Sequence, residues 1–176
     1  MRVVFLLLLS LALHAHPHAF VDVYPDVSVE NGMVRQIGIK WLMDEMSSSM
    51  LIMEFDKNSN GKIDKDENSY IKDNYFMSLK NFGFYTYVKD MEKSVKYRIL
   101  DFTASIHKNK NIVYKFTIQP LNFVKKENLK ILFYDKEFFT SFTVEDEFLS
   151  KNTLKNYRVE DYDGDYFFGY ILKYGQ

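Results

Sequence analysis

The chain contains no cysteine. That excludes a disulfide framework, a thiolate metal site and a lipid-anchor cysteine. It also lacks an excess of either charge, since 23 Lys and Arg face 24 Asp and Glu for a net charge of −1. There is no basic arm, and the lysines are interleaved with acids, so nucleic acid is not an expected partner. No apolar run after the first dozen residues is long enough to span a bilayer. No linker, repeat or low-complexity segment divides the chain, and 176 residues suit one domain. Serines and carboxylates are plentiful, yet none stands in a recognisable nucleophile or acid–base motif. Neither an enzyme nor any catalytic residue is therefore expected.

The opening "MRVVFLLLLSLALHA" has one positive charge, Arg2, then an apolar run from Val3 to Leu13. That run is short for a transmembrane helix and right for a signal-peptide core, with small Ala15 before the cut. The expectation is a signal peptide over 1–15, cleavage after Ala15, and export to a bacterial periplasm. An uncleaved anchor is the competing reading. Residues 16–176 then form a single domain beginning at His16.

Aromatic content is high at 17%, nearly all Phe and Tyr, which suits half-buried strands. "AFVDVYPDVSVENGMVRQIGIKW" alternates apolar and polar through Val21, Val23, Val27 and Val29, then Val34, Ile37, Ile39 and Trp41. Asn31-Gly32 between the arms signals a type I′ hairpin turn. Pro25 predicts a break in the first arm, at an edge strand or bulge. From Met43 the period becomes helical, with Met46, Met50, Leu51 and Phe55 on one face and Asp44 as N-cap. A second helix places Ile71, Tyr75, Leu79 and Phe82 together and stops at Gly83. Period two then returns in "FYTYVKD", "KSVKYRILDFTASIHK", "NIVYKFTIQ", "NLKILFYD", "FFTSFTV" and "DYFFGYILKYG". The expected fold is mainly β: a single antiparallel β-sandwich of roughly seven or eight strands. A helix–loop–helix insert at about 43–82 separates the second strand from the third.

"DKNSNGKIDKDE", Asp56 to Glu67, lies between the two helices and fits an EF-hand calcium loop. Calcium is a hard cation that takes six to eight oxygens. Asp56, Asn58 and Asn60 offer one side-chain oxygen each, and Gly61 makes the sharp turn. Lys62 offers its carbonyl, Asp64 acts directly or through water, and Glu67 closes the site with two oxygens. A solvated polar corner is the bland alternative. Only three ligands are carboxylates, so an affinity of roughly 0.1–1 mM, as in extracellular modules, is expected. A single loop without a paired second one favours a structural brace over a switch, with Ile63 packing on the sheets.

The expected N-terminus "HPHAFVD" offers an amine and the imidazoles of His16 and His18, which suit Cu, Ni or Zn. Pro17 removes the amide that an amino-terminal copper and nickel motif would need. A solvated start is the equal alternative, and His107 joins only if the fold brings it close. In "EDYDGDY", Asp161, Asp163 and Asp165 surround Gly164, which reads as a turn with positive φ at the glycine.

Three segments, "AHPHAFVD", "WLMDEMSSSMLIMEFD" and "ILFYDKEFFTSF", together resemble an uncharacterised bacterial family of exported proteins. Its members are often labelled the periplasmic component of an ABC-type transport system. The segments fall in the family's order and span most of the chain. The resemblance implies an accessory to divalent-metal or other solute uptake, with a membrane permease or other periplasmic protein as partner. Asn58 and Asn60 depart from the acids common at those places. A calcium-stabilised interaction or adhesion module is the alternative function.

Overall fold

The computed structural model describes residues 18–107, 110–149, 153–164 and 167–175. Ten strands among them form two five-stranded sheets. The first two are β1 (Ala19–Glu30) and β2 (Met33–Met43). Val21, Val23 and Val27 of β1 and Val34, Ile37, Ile39 and Trp41 of β2 are buried, as the alternation predicts. Asn31 and Gly32 adopt φ 51° and 75°, and Glu30 pairs directly with Met33. Both turn residues are thus left-handed, as a type I′ turn demands.

The predicted break at Pro25 does not occur: the proline pairs with Ile39 inside a continuous β1. β1 has a second partner only over Ala19–Asp22, so Pro25 lies where its outer edge is open and no ladder N–H is needed there. The bulge falls instead between Ser28 and Val29.

The remaining strands are β3 (Thr86–Asp90), β4 (Lys93–Val95), β5 (Tyr97–Ile106), β6 (Ile112–Pro120) and β7 (Leu129–Tyr134). They are followed by β8 (Thr140–Thr143), β9 (Tyr157–Asp163) and β10 (Phe168–Tyr174). One sheet runs β5-β6-β2-β1-β8 and the other β4-β3-β7-β10-β9. Their inner faces contribute to one buried cluster, from Val23 and Phe116 on one side to Ile131 and Phe133 on the other.

Several expectations need correction. The described residues form ten strands rather than seven or eight, and β9 answers to no expected strand. "KSVKYRILDFTASIHK" is two strands, β4 and β5, which belong to different sheets; the alternation continues through Lys96 and conceals the change. The pairing is also not wholly antiparallel, because β1 runs parallel to β8. Gly164 does not take positive φ, although a turn does join β9 to β10, with Asp163 opposite Phe168 and Gly164 N bonded to Phe167 O at 2.8 Å. Asp165 lies outside the described residues.

The helical part lies between β2 and β3. α1 spans Glu45–Phe55 and α2 spans Lys65–Ile71. The second helix does not continue regularly to Phe82. A π-turn over Lys72–Phe76 follows α2, then 3₁₀ turns over Met77–Tyr85. The wide π-turn buries Phe76 beside Tyr75, which is half-buried and packs against the core with its ring 4.8 Å from Phe55. Phe76 is fully buried, with ring centroids 4.3 Å from Phe102 and 4.9 Å from both Phe84 and Phe116. Gly83 ends the helical part in the left-handed region, as predicted, and Phe84 and Tyr85 share that conformation.

Candidate metal-binding loop

Asp44 starts α1 and ties it to the sheet. Its carboxylate accepts from Ser47 N at 2.9 Å, Ser47 Oγ at 2.6 Å and Phe20 N at 2.9 Å. Burial alone would raise its pKa, but these hydrogen bonds outweigh it and hold the group below the usual aspartate value. Ser48 Oγ accepts from Ile112 N at 2.9 Å and donates to Met43 O at 3.2 Å. Asn111 Nδ2 donates to the same carbonyl at 2.8 Å. α2 is fastened similarly, since Asn68 Oδ1 accepts from Ala104 N at 2.6 Å. Both helices are thus anchored to the β5–β6 pair by directed bonds.

Replacing Asp44 with Ala should cost about 1–2 kcal/mol, the usual loss for an N-cap. The sign of its pH dependence follows from a folded pKa below the unfolded one. Its contribution is complete above about pH 4 and is lost as pH falls through the folded value. Asp44→Asn should therefore show a shallower loss of stability on acidification below that pH, measured by urea unfolding at several pH values.

The loop between the helices is organised by its own acids. Asp56 accepts from Asn60 N at 2.9 Å through Oδ1 and from Gly61 N at 2.8 Å through Oδ2. Glu67 reaches back to both ends: Oε1 accepts from Lys57 N at 2.9 Å and Oε2 from Asp64 N at 2.8 Å. These two carboxylates are only 8% and 7% exposed. Asn58 Oδ1 accepts from Asn60 N at 3.0 Å, and Asn60 Oδ1 from Lys62 N at 2.8 Å. Gly61 has φ 76°, the left-handed turn its place in the sequence predicts. Ile63 packs against the core. Lys57 turns its ammonium over the Tyr70 ring, 3.6 Å from the centroid. Glu54 accepts from Tyr75 at 2.9 Å and Tyr70 at 3.3 Å, bracing α1 against α2. Hydrogen bonding to Tyr70 and Glu54 pushes the Tyr75 phenol well above its usual range.

The donor set is entirely oxygen, as a hard cation requires. Among the described ion pairs, none involves Asp56, Asp64 or Glu67. The exposed Asp64 is occupied by the loop's own amides, however. Its Oδ2 accepts from Asn58 Nδ2 at 2.8 Å and Asn60 Nδ2 at 3.0 Å. Among the described residues no group of three or more His, Cys, Asp or Glu is gathered closely enough to hold a metal. A bound cation would replace the two amide donors that Asp64 now holds.

His16 lies outside the described residues. His18 is exposed; its N donates to Phe139 O at 2.8 Å, and its ring stacks 6.2 Å from Phe139. His107 sits in the β5–β6 turn, where its N donates to Asn111 O at 2.8 Å. The "ILFYDKEFFTSF" segment explains the first contact. Buried Asp135 accepts from Glu137 N at 2.9 Å and Thr140 N at 3.0 Å, closing the β7–β8 turn that presents Phe139.

One feature was not legible beforehand. A cleft of about 730 Å³ is walled by Phe84, Val88, Val95, Ile99 and Leu121, with exposed Lys80, Lys96 and Arg98 beside them. Tyr97 Oη lies 2.6 Å from Gly83 O and 2.7 Å from Thr86 O, so its single proton spans the left-handed 83–85 turn. The only sequence signal was Gly83.

These observations define a mostly β chain with an oxygen-rich acidic loop set between two sheet-anchored helices. The chain belongs to the DUF1007 family of proteins of unknown function, whose model matches residues 1–166. An uncharacterized protein of Haemophilus influenzae is 29% identical over 92 residues, which is 52% of this chain and 43% of that relative. The match therefore spans less than half of the relative's length. Among the described residues no helix is long and apolar enough to cross a membrane.

Proposed function

We propose that this is an exported, periplasmic calcium-binding protein whose ion braces an EF-hand-like helix–loop–helix against a β-sandwich. The observation that carries the reading is the pair Asp56 and Glu67. Both are buried, each gathers two backbone N–H groups of the loop, Asp56 from its middle and Glu67 from Lys57 and Asp64, and neither has a basic partner among the described ion pairs. Carboxylates kept from water without a cationic side chain are well placed to receive a cation. Asn58, Asn60, the Lys62 carbonyl and Asp64 complete the donor set. The sheet anchors at Ser48 and Asn68 favour a brace over a switch, because opening the helices would break both.

The chain acts, on this reading, as an accessory in divalent-metal or other solute uptake, beside a membrane permease or another periplasmic protein. His16 and His18 would offer Ni, Cu or Zn a separate exposed site at the N-terminus. It carries out no catalysis. The 730 Å³ cleft supports a second reading, a calcium-stabilised interaction module that contacts its partner there.

Calorimetric titration of the exported protein tests the central claim. One calcium per chain, with a dissociation constant of roughly 0.1–1 mM, is the expected result. No heat of binding up to about ten times that range removes the reading. Metal analysis of untagged protein separates the two functions: stoichiometric Ni, Cu or Zn favours delivery, and calcium alone favours the module.

A further inference from the structure

α1 buries only part of its expected apolar face: Leu51 and Phe55 pack inward, but Met46 and Met50 do not. Ser47 and Ser48 are buried against the sheet, whereas Met46, Met50 and Met53 are 63%, 55% and 79% exposed. Spacings of four and three residues place the three thioethers in one narrow row over about 10 Å of helix. The hydrocarbon side chains of the same helix lie elsewhere: Leu51 and Ile52 pack against the core, and Phe55 is buried. Sulfur and hydrocarbon are therefore segregated, and burial does not account for the sulfur side.

Ser49 and Glu54 on α1 are already engaged. Ser49 Oγ donates to Glu45 O at 2.8 Å, and the Glu54 carboxylate accepts from Tyr70 and Tyr75. The thioethers remain as donors along that row, with the exposed Glu45 carboxylate beside Met46. Glu45 stands in the first turn and no basic residue in the last, so a cation meets no repulsion from the helix's own side chains. Thioether sulfur is soft and uncharged, and selects Cu(I) over hard cations such as calcium and magnesium. Three rotatable bonds let each methionine adjust its sulfur to a shared ion.

We propose that Met46, Met50 and Met53 form a surface site for a soft monovalent cation of the Cu(I) class, separate from the acidic loop. It does not depend on that loop binding calcium. The probes are Cu(I), under anaerobic reducing conditions against a competing chelator, and Ag(I), followed by methionine methyl NMR. The expected result is one ion per chain, with shifts at the methyls of Met46, Met50 and Met53 and not at those of Met33 and Met77. The variant M46L/M50L/M53L keeps volume, apolarity and helix propensity while removing every sulfur. It should bind Cu(I) more than about 100-fold more weakly, since loss of a single outer-shell partner already costs about 10–100-fold. Calcium titration should be unchanged in it, so failure of this site and failure of the loop are distinguishable. Equal Cu(I) affinity in the wild type and the triple variant, or Ag(I) binding that leaves the methyls of Met46, Met50 and Met53 unshifted, overturns the proposal. In that case the row is an apolar surface for a partner.

Discussion

Calcium at about a hundred times its dissociation constant should raise the unfolding midpoint by about 5–10 °C. Binding to the native state alone contributes about 2.7 kcal/mol at that excess, and each kcal/mol moves the midpoint of a domain this size by about 2–4 °C. The stabilisation arises because the folded loop holds Asp56 and Glu67 8% and 7% exposed with no ion pair among the described residues, a cost that a bound cation would relieve. Magnesium should do much less. It demands a near-octahedral shell and dehydrates reluctantly, and a twelve-residue loop closed by a bidentate Glu suits the larger ion. Glu67→Gln should abolish the calcium shift. It should also destabilise the calcium-free protein by about 1–3 kcal/mol, because an amide nitrogen cannot accept from one of the Lys57 and Asp64 N–H groups. A wild-type midpoint indifferent to calcium would show that the loop is a self-satisfied corner whose acids serve only its own backbone.

Phe76→Ala should remove about 3–5 kcal/mol, the usual cost of emptying a fully buried aromatic site. Few single changes in this chain should cost more. The ring stacks on Phe102, lies against Phe84 and Phe116, and meets Tyr114 edge-on at 6.4 Å. It couples the helical part to both β5 and β6. A domain with about 5–15 kcal/mol of total stability would lose a large share of it. Met53→Ala, on the exposed row of α1, should by contrast stay within about 0.5 kcal/mol. Denaturant unfolding of both variants checks the pair. A loss at Phe76 no larger than at Met53 would mean that the π-turn does not deliver Phe76 to the core.

Strand positions and the first hairpin were legible because their signals are local. Alternation names the buried face of β1 and β2, and Asn31-Gly32 needs no distant partner to turn. The loop was legible for the same reason: Gly61 turns where its place in the twelve predicts, and Asp56 and Glu67 close on backbone a few residues away. What the sequence did not show was where patterns continue across a change of partner. "KSVKYRILDFTASIHK" alternates without a break from Val95 to Ile99 while passing from one sheet to the other, and shifts phase only later, at the bulge between Ile99 and Asp101. The π-turn added Phe76 to the inward side beside Tyr75, since a helical wheel drawn at 3.6 residues per turn cannot anticipate one wider turn.

α1 draws the boundary most clearly. By itself the sequence determined a helix capped at Asp44 that leads into an acidic loop, because capping and helix propensity act over a few residues. Only the tertiary structure decided which side of that helix faces inward. Hydrophobicity favours Met46 and Met50 as the buried side, but the unpaired N–H of Ile112 and the carbonyl of Met43 stand beneath the helix. A buried polar backbone group costs more than an exposed thioether. Ser48 accepts from the first at 2.9 Å and shares the second with Asn111, and the methionines are left facing the solvent.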